Sequence, residues 1–126
     1  MSMLLFWYGG LGFAVPRIIL GVLLLVHGWP KIKDLNQNAK NFAGMGFKPG
    51  SLWGTIAAFV EFLGGIGLVL GLAVPYACFL FMGEFAVIII WKWIKKMPFV
   101  GGWELDALIF GLALMFFTLY GGFFLF

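Results

Sequence analysis

Apolar residues fall into four long runs, separated by short clusters of proline, glycine and charge. The runs cover residues of about 11–29, 52–72, 75–93 and 103–124, each near the roughly 20 residues that a helix needs to cross a hydrocarbon core of about 30 Å. Pro30 stops the first run. Pro75 suits the first turn of a helix, where its missing N–H costs nothing, so the third run starts directly after a tight turn. Pro98, Gly101 and Gly102 part the third run from the fourth. The one polar stretch, 31–51, carries Asn36, Gln37, Asn38, Gly44, Gly46, Pro49 and Gly50. It reads as a surface loop holding a short interfacial helix around 35–42. The pattern predicts an all-α fold: an integral membrane four-helix bundle, one transmembrane domain over 1–126.

Composition agrees with that reading. Hydrophobic residues make up 63% and charged residues 10%, against roughly 45–50% and 25% in soluble domains. One soluble core of this size cannot hide so much apolar surface. The net charge of +3 would hint at nucleic acid in a soluble chain. Here it is assigned to loop lysines facing anionic head groups, and no nucleic-acid partner is expected. Residues 1–10 are apolar but lack a basic segment and a small-x-small cleavage site, so no cleaved signal peptide is expected. Lys31, Lys33, Lys40 and Lys48 follow the first run, and Lys92, Lys95 and Lys96 close the third. With four spans these fall on one side, which the positive-inside rule makes cytoplasmic, leaving both termini outside the cell membrane. Trp29, Trp53, Trp91, Trp93 and Trp103 mark the same inner interface, and Tyr8, Tyr76 and Tyr120 the outer one.

Charge at membrane depth costs about 2.5–3.5 kcal/mol per group on insertion scales, so each such residue needs a partner or a task. Arg17 lies in the outer half of the first span, Glu61 and Glu84 at the middle of the second and third. His27 lies toward the inner end of the first span, and Glu104 and Asp106 open the fourth. Arg17, Gly21, Leu24 and Gly28 share a helix face, with His27 and Lys31 on its flank. Glu61, Gly65 and Leu68 share another face, while Asp106 points about 160° away from Glu104. An Arg17–Glu61 ion pair inside the bundle is the expected contact. One cation against two mid-membrane carboxylates leaves one carboxyl to hold a proton or to meet another donor. A protonatable carboxyl beside a guanidinium is also what a quinone head group uses. The lone Cys78 reads as an inert buried thiol, and one histidine cannot supply a bis-histidine haem. No haem, flavin or metal is expected.

These residues carry a resemblance. Arg17-x-x-x-Gly21 followed by His27-Gly28-x-x-Lys31 resembles the first-helix pattern of the DoxX family. Glu61-x-x-Gly64-Gly65 with Gly71 resembles its second-helix pattern, and Gly101-Gly102-x-Glu104 the opening of its fourth helix. The resemblance implies a four-helix membrane protein tied to redox work, as a subunit of thiosulfate:quinone oxidoreductase, beside terminal quinol oxidases, or in complexes with thiol and superoxide enzymes. It carries over to Arg17, His27, Lys31, Glu61 and Glu104. Glu84 lies outside the pattern, and its candidacy rests on its depth in the membrane.

The expected function is a quinone-interacting redox subunit working with a partner oxidoreductase, its quinone among Arg17, His27, Glu61 and Glu104, with Glu84 as modulator. The chain carries no complete catalytic apparatus of its own. The alternatives are an assembly subunit of a respiratory membrane complex, whose buried charges only specify packing, and a small proton-coupled transporter. Expected partners are lipid and other membrane or peripheral redox subunits, a second copy of the chain included. The orientation is directly testable: a C-terminal reporter that fluoresces only in the cytoplasm should stay dark, and a bright one would reverse the topology.

Overall fold

The computed structural model describes the backbone of residues 2–125 and the side chains of residues 11–120. Five α-helices follow one another: α1 (Ser2–Lys33), α2 (Leu35–Gly44), α3 (Gly50–Leu70), α4 (Val74–Ile94) and α5 (Glu104–Leu125). Among the described residues there is no strand. α1, α3, α4 and α5 are long and apolar enough to cross a membrane. Large apolar side chains such as Ile19, Val26, Leu63 and Ile90 are more than half exposed on their outer faces. In water that surface would aggregate; against lipid it is the solvated side.

α1 runs through Pro30 to Lys33 instead of ending before the proline. A proline this close to a helix end removes one backbone bond, and the Asp34 amide still closes on the Pro30 carbonyl at 3.3 Å. Lys31 and Lys33 in the last turn complement the negative end of the helix dipole. Asp34 then caps α2, its Oδ1 accepting from the Gln37 amide at 3.1 Å. The polar stretch therefore holds a full α2, longer at its C-terminal end than the pattern suggests. α3 ends on Gly71 with φ +74°, the left-handed position that glycine takes without strain, and the Leu72 amide returns to the Gly67 carbonyl at 2.8 Å. Pro75 sits in the first turn of α4.

Where glycines face each other, two backbones touch. A Cβ on Gly21 would stand 2.8 Å from the carbonyl oxygen of Gly65, and one on Gly65 would stand 2.8 Å from that of Gly21. Two turns closer to the lysine-rich end, Gly28 lies against the Phe62 amide and the Glu61 Cβ. These contacts set the antiparallel register of α1 on α3. α4 meets α3 in the half away from the lysine-rich end, where the Cζ end of the Phe81 ring points at Gly64. α4 and α5 pack through Cys78, Phe81, Phe85, Ile109, Ala113 and Phe116, all buried. α1 and α5 barely meet.

α2 crosses the lysine-rich end as a floor. Asn38, buried, donates from Nδ2 to the Gly54 carbonyl at 2.7 Å, and Trp91 Nε1 donates to the Met45 carbonyl at 2.9 Å. Trp29, Trp53, Trp91, Trp93 and Trp103 gather at this end, and Tyr76 and Tyr120 at the other. The Tyr8 side chain lies outside the described residues. The glycine contact yields a prediction. Gly65→Leu should lower stability by about 1–3 kcal/mol, the range for overpacking a filled site, whereas Gly111→Leu, where an added Cβ meets nothing within 4 Å, should be neutral. Thermal unfolding in detergent reads both, and equal midpoints would refute the contact.

Candidate functional site

The register set by the glycines decides which charges meet. Gly28 opposes Glu61, so the next inward turn of α1 brings Lys31 to the Glu61 carboxylate, where Nζ pairs with Oε2. Glu61 is 1% exposed, and a buried carboxylate at that depth requires such a partner. The expected Arg17–Glu61 pair does not form. Arg17 lies at the far end of α3, donating from Nε to the Leu68 carbonyl at 2.9 Å and from Nη1 to the Tyr120 hydroxyl at 3.1 Å. Its guanidinium spreads over Gly71, where a Cβ would come within 3.2 Å of Nη1. The C-terminal end of α3 offers a free carbonyl and the negative pole of the helix dipole, which replace a carboxylate as the cation's partner.

A second ion pair joins the hairpin of α4 and α5. Lys92 Nζ donates to Asp106 Oδ2 at 2.6 Å and to the Gly102 carbonyl at 3.0 Å. Asp106 is buried; Glu104 is exposed and its Oε1 accepts from the Gly101 amide at 3.0 Å, so it closes the turn before α5. Between the two residues the structure reverses the sequence expectation. Asp106 points inward to a lysine, and Glu104 outward.

Both pairs line one cavity of about 1000 Å³. Its floor is α2 and the turn after it, with Asn38, Phe42, Met45 and Phe47; its walls are α3 and α4, with Ala57, Val60, Met82 and Phe85 among mostly apolar side chains. His27 stands at the rim, exposed, its Nδ1 hydrogen bonded to the Leu23 carbonyl at 2.8 Å. Glu84 lines the wall beside Glu61 and Lys31. Both Glu84 oxygens are buried and have no hydrogen-bond partner. Such a group is costly to bury, on the order of 1–3 kcal/mol or more when charged.

The structure thus brings His27, Lys31, Glu61 and Glu84 together and leaves Arg17 and Glu104 apart from them. Gly21, Gly28, Gly64 and Gly65 are helix contacts rather than cavity lining. The sequence reading missed Asn38 and the Lys92–Asp106 pair. A signal for the pair exists: Lys92 and Asp106 are equidistant from Phe99, the midpoint of the 95–103 connection between α4 and α5, as partners across a helical hairpin must be.

The profile of the DoxX family matches residues 12–93. The chain belongs to the DoxX family. Nothing among curated proteins or solved structures matches it. The DoxX match covers Lys31, Glu61, Glu84 and Lys92, so most of the cavity lies on the family's part of the chain, while Asp106 and Tyr120 lie beyond it. This DoxX protein is a multi-pass membrane protein in which Lys31, Glu61, Glu84, Lys92 and Asp106 line one cavity and Arg17 stands at the other end of the bundle.

The pairing is open to a double-mutant cycle. Breaking one side of a buried pair typically costs about 3–5 kcal/mol. Lys31→Met should therefore destabilise strongly, and Lys31→Met with Glu61→Met should recover most of the loss. Arg17→Leu should add to Glu61→Met without coupling. Coupling of Glu61 to Arg17 rather than to Lys31 would refute the register.

Proposed function

We propose that this DoxX protein binds a membrane quinone in the cavity above α2 and serves as the quinone-handling subunit of a partner oxidoreductase. The observation that carries the reading is Glu84: a carboxyl with two unpartnered oxygens, on the wall of a mostly apolar cavity, beside an ion pair. At about 1000 Å³ the cavity stands at the upper end of the roughly 300–1,000 Å³ typical of small-molecule sites. Apolar walls with few polar groups suit a flat ring that needs orientation at its oxygens only. A quinone supplies two-electron, two-proton chemistry when bound.

The residues divide the work. Lys31 gives one of its three ammonium protons to Glu61 and retains others for a ring oxygen. Glu84 exchanges a proton with the bound ring, within a network that Glu61 and Lys31 complete. His27 at the rim, whose imidazole can both donate and accept a proton, passes protons to the water beyond α2. Lys92 and Asp106 hold α4 and α5 in place at the cavity's inner end. Electrons come from or go to the partner. The lysine-rich end faces the cytoplasm in this reading, which puts α2 and the partner's docking side in the same compartment.

Titration of the purified protein in detergent with a short-tailed benzoquinone, against a protein-free micelle blank, tests the reading. Wild type and Glu104→Gln should bind alike. Glu61→Gln and Glu84→Gln should each bind on the order of tenfold more weakly, as expected when a hydrogen bond to a charged group is lost. Equal binding by all four proteins, or none above the blank, would contradict it and leave an assembly role.

A further inference from the structure

The cavity is not closed on its lipid side. The walls of the cavity include side chains that stand on the outer surface: Trp53 and Ile56 on α3, Leu80 and Val87 on α4, each roughly half exposed. Gly83 lies between Leu80 and Val87 on the same face of α4, exposed, lining the cavity, with nothing within 4 Å of the place a Cβ would take. The missing side chain leaves a gap between α3 and α4 at the height of Glu84. No charged or hydrogen-bonding group lines that stretch apart from the indole of Trp53.

The other two ways out differ. On the α1–α5 side the cavity reaches only His27, Lys31 and Asp106, and none of the lipid-facing residues such as Val26 or Leu108. Toward water the way is covered by α2, held by Asn38 on Gly54 and by Trp91 on Met45. An apolar chain attached to a head group in the cavity has one route that meets no polar group other than the Trp53 indole.

We propose that the groove between α3 and α4, with the gap at Gly83, holds the hydrocarbon tail of the cavity's ligand, so that the ligand is a single-tailed amphiphile taken directly from the lipid phase. This rests on the quinone reading above and names its route and its tail subsite. The tail leaves lipid for a wall that is equally apolar, so the groove adds little affinity. It acts by shape: one chain fits past Gly83, and the head group reaches Glu84 without crossing water.

A decyl-tailed benzoquinone carrying a photoactivated diazirine midway along the tail reads the route directly, with peptide mapping by mass spectrometry. Labelling that unlabelled quinone competes away should fall on the peptides around Ile56 and around Leu80–Val87. Gly83→Phe fills open space and should leave the unfolding midpoint unchanged while most of that labelling is lost. Competed labelling around Val26 or Leu108 would overturn the route while leaving quinone binding intact, as would undiminished labelling of the two predicted peptides in Gly83→Phe. If nothing is competed anywhere, the quinone reading itself falls and the tail subsite with it.

Discussion

At Gly21 and Gly65 the backbones of α1 and α3 meet with no side chain between them, and the geometry of the charged site follows from that contact. In lipid the apolar surfaces of helices gain nothing by leaving their surroundings, so association depends on close packing and on hydrogen bonds. Small residues supply the first. Once the two glycines are in contact, antiparallel helices allow no choice of partner: Gly28 falls opposite Glu61, Lys31 one turn beyond, and Arg17 at the end of α3. A shift of one turn, roughly 5.4 Å, would pull the Lys31 ammonium from the Glu61 carboxylate and leave a buried charge alone.

The same contact explains why a cavity exists. α3 is drawn to α1 by glycine contacts from Glu61 to Gly65, and to α4 by the Phe81 ring on Gly64, all in the half of α3 away from the lysine-rich end. α4 is held by its own partner, α5, through an apolar core and the Lys92–Asp106 pair. Two tight hairpins that touch near one end diverge at the other. α2 covers the divergent end instead of filling it, since its contacts run to α3 and to the end of α4. The resulting space carries two compensated ion pairs and one uncompensated carboxyl.

Much of the fold is legible in the sequence because the physics of crossing a membrane is one-dimensional. Length, hydropathy and breakers place four spans, and the i, i+4, i+7 spacing of Arg17, Gly21, Leu24 and Gly28 correctly turns Gly21, Leu24 and Gly28 inward. Depth alone cannot place partners. Arg17 and Glu61 look close when each is measured from the middle of its own span, yet the pairing depends on the register between helices, which the glycines decide. The expectation also counted only side chains as counter-charges, whereas a helix C-terminus offers carbonyls and a dipole to Arg17. Asp106 was hidden for a related reason: a carboxylate in the first turn of a helix has a sufficient role there, and only the hairpin geometry shows that Lys92 claims it. Glu84 stood out from sequence by depth, and the structure adds that its oxygens have no partner.

The central claim is the register of α1 on α3, and disulfide trapping measures it without reference to ligand or activity. With Cys78 replaced by alanine, Gly28→Cys and Glu61→Cys place two sulfurs on positions whose Cβ atoms lie about 3.1 Å apart, near the Cβ spacing of a disulfide. Oxidation should link this pair readily in membranes, seen as a joined peptide after proteolysis, and should leave Arg17→Cys with Glu61→Cys unlinked. A strong 17–61 link with no 28–61 link would contradict the register, and with it the placement of Lys31 on Glu61 and the site built around them.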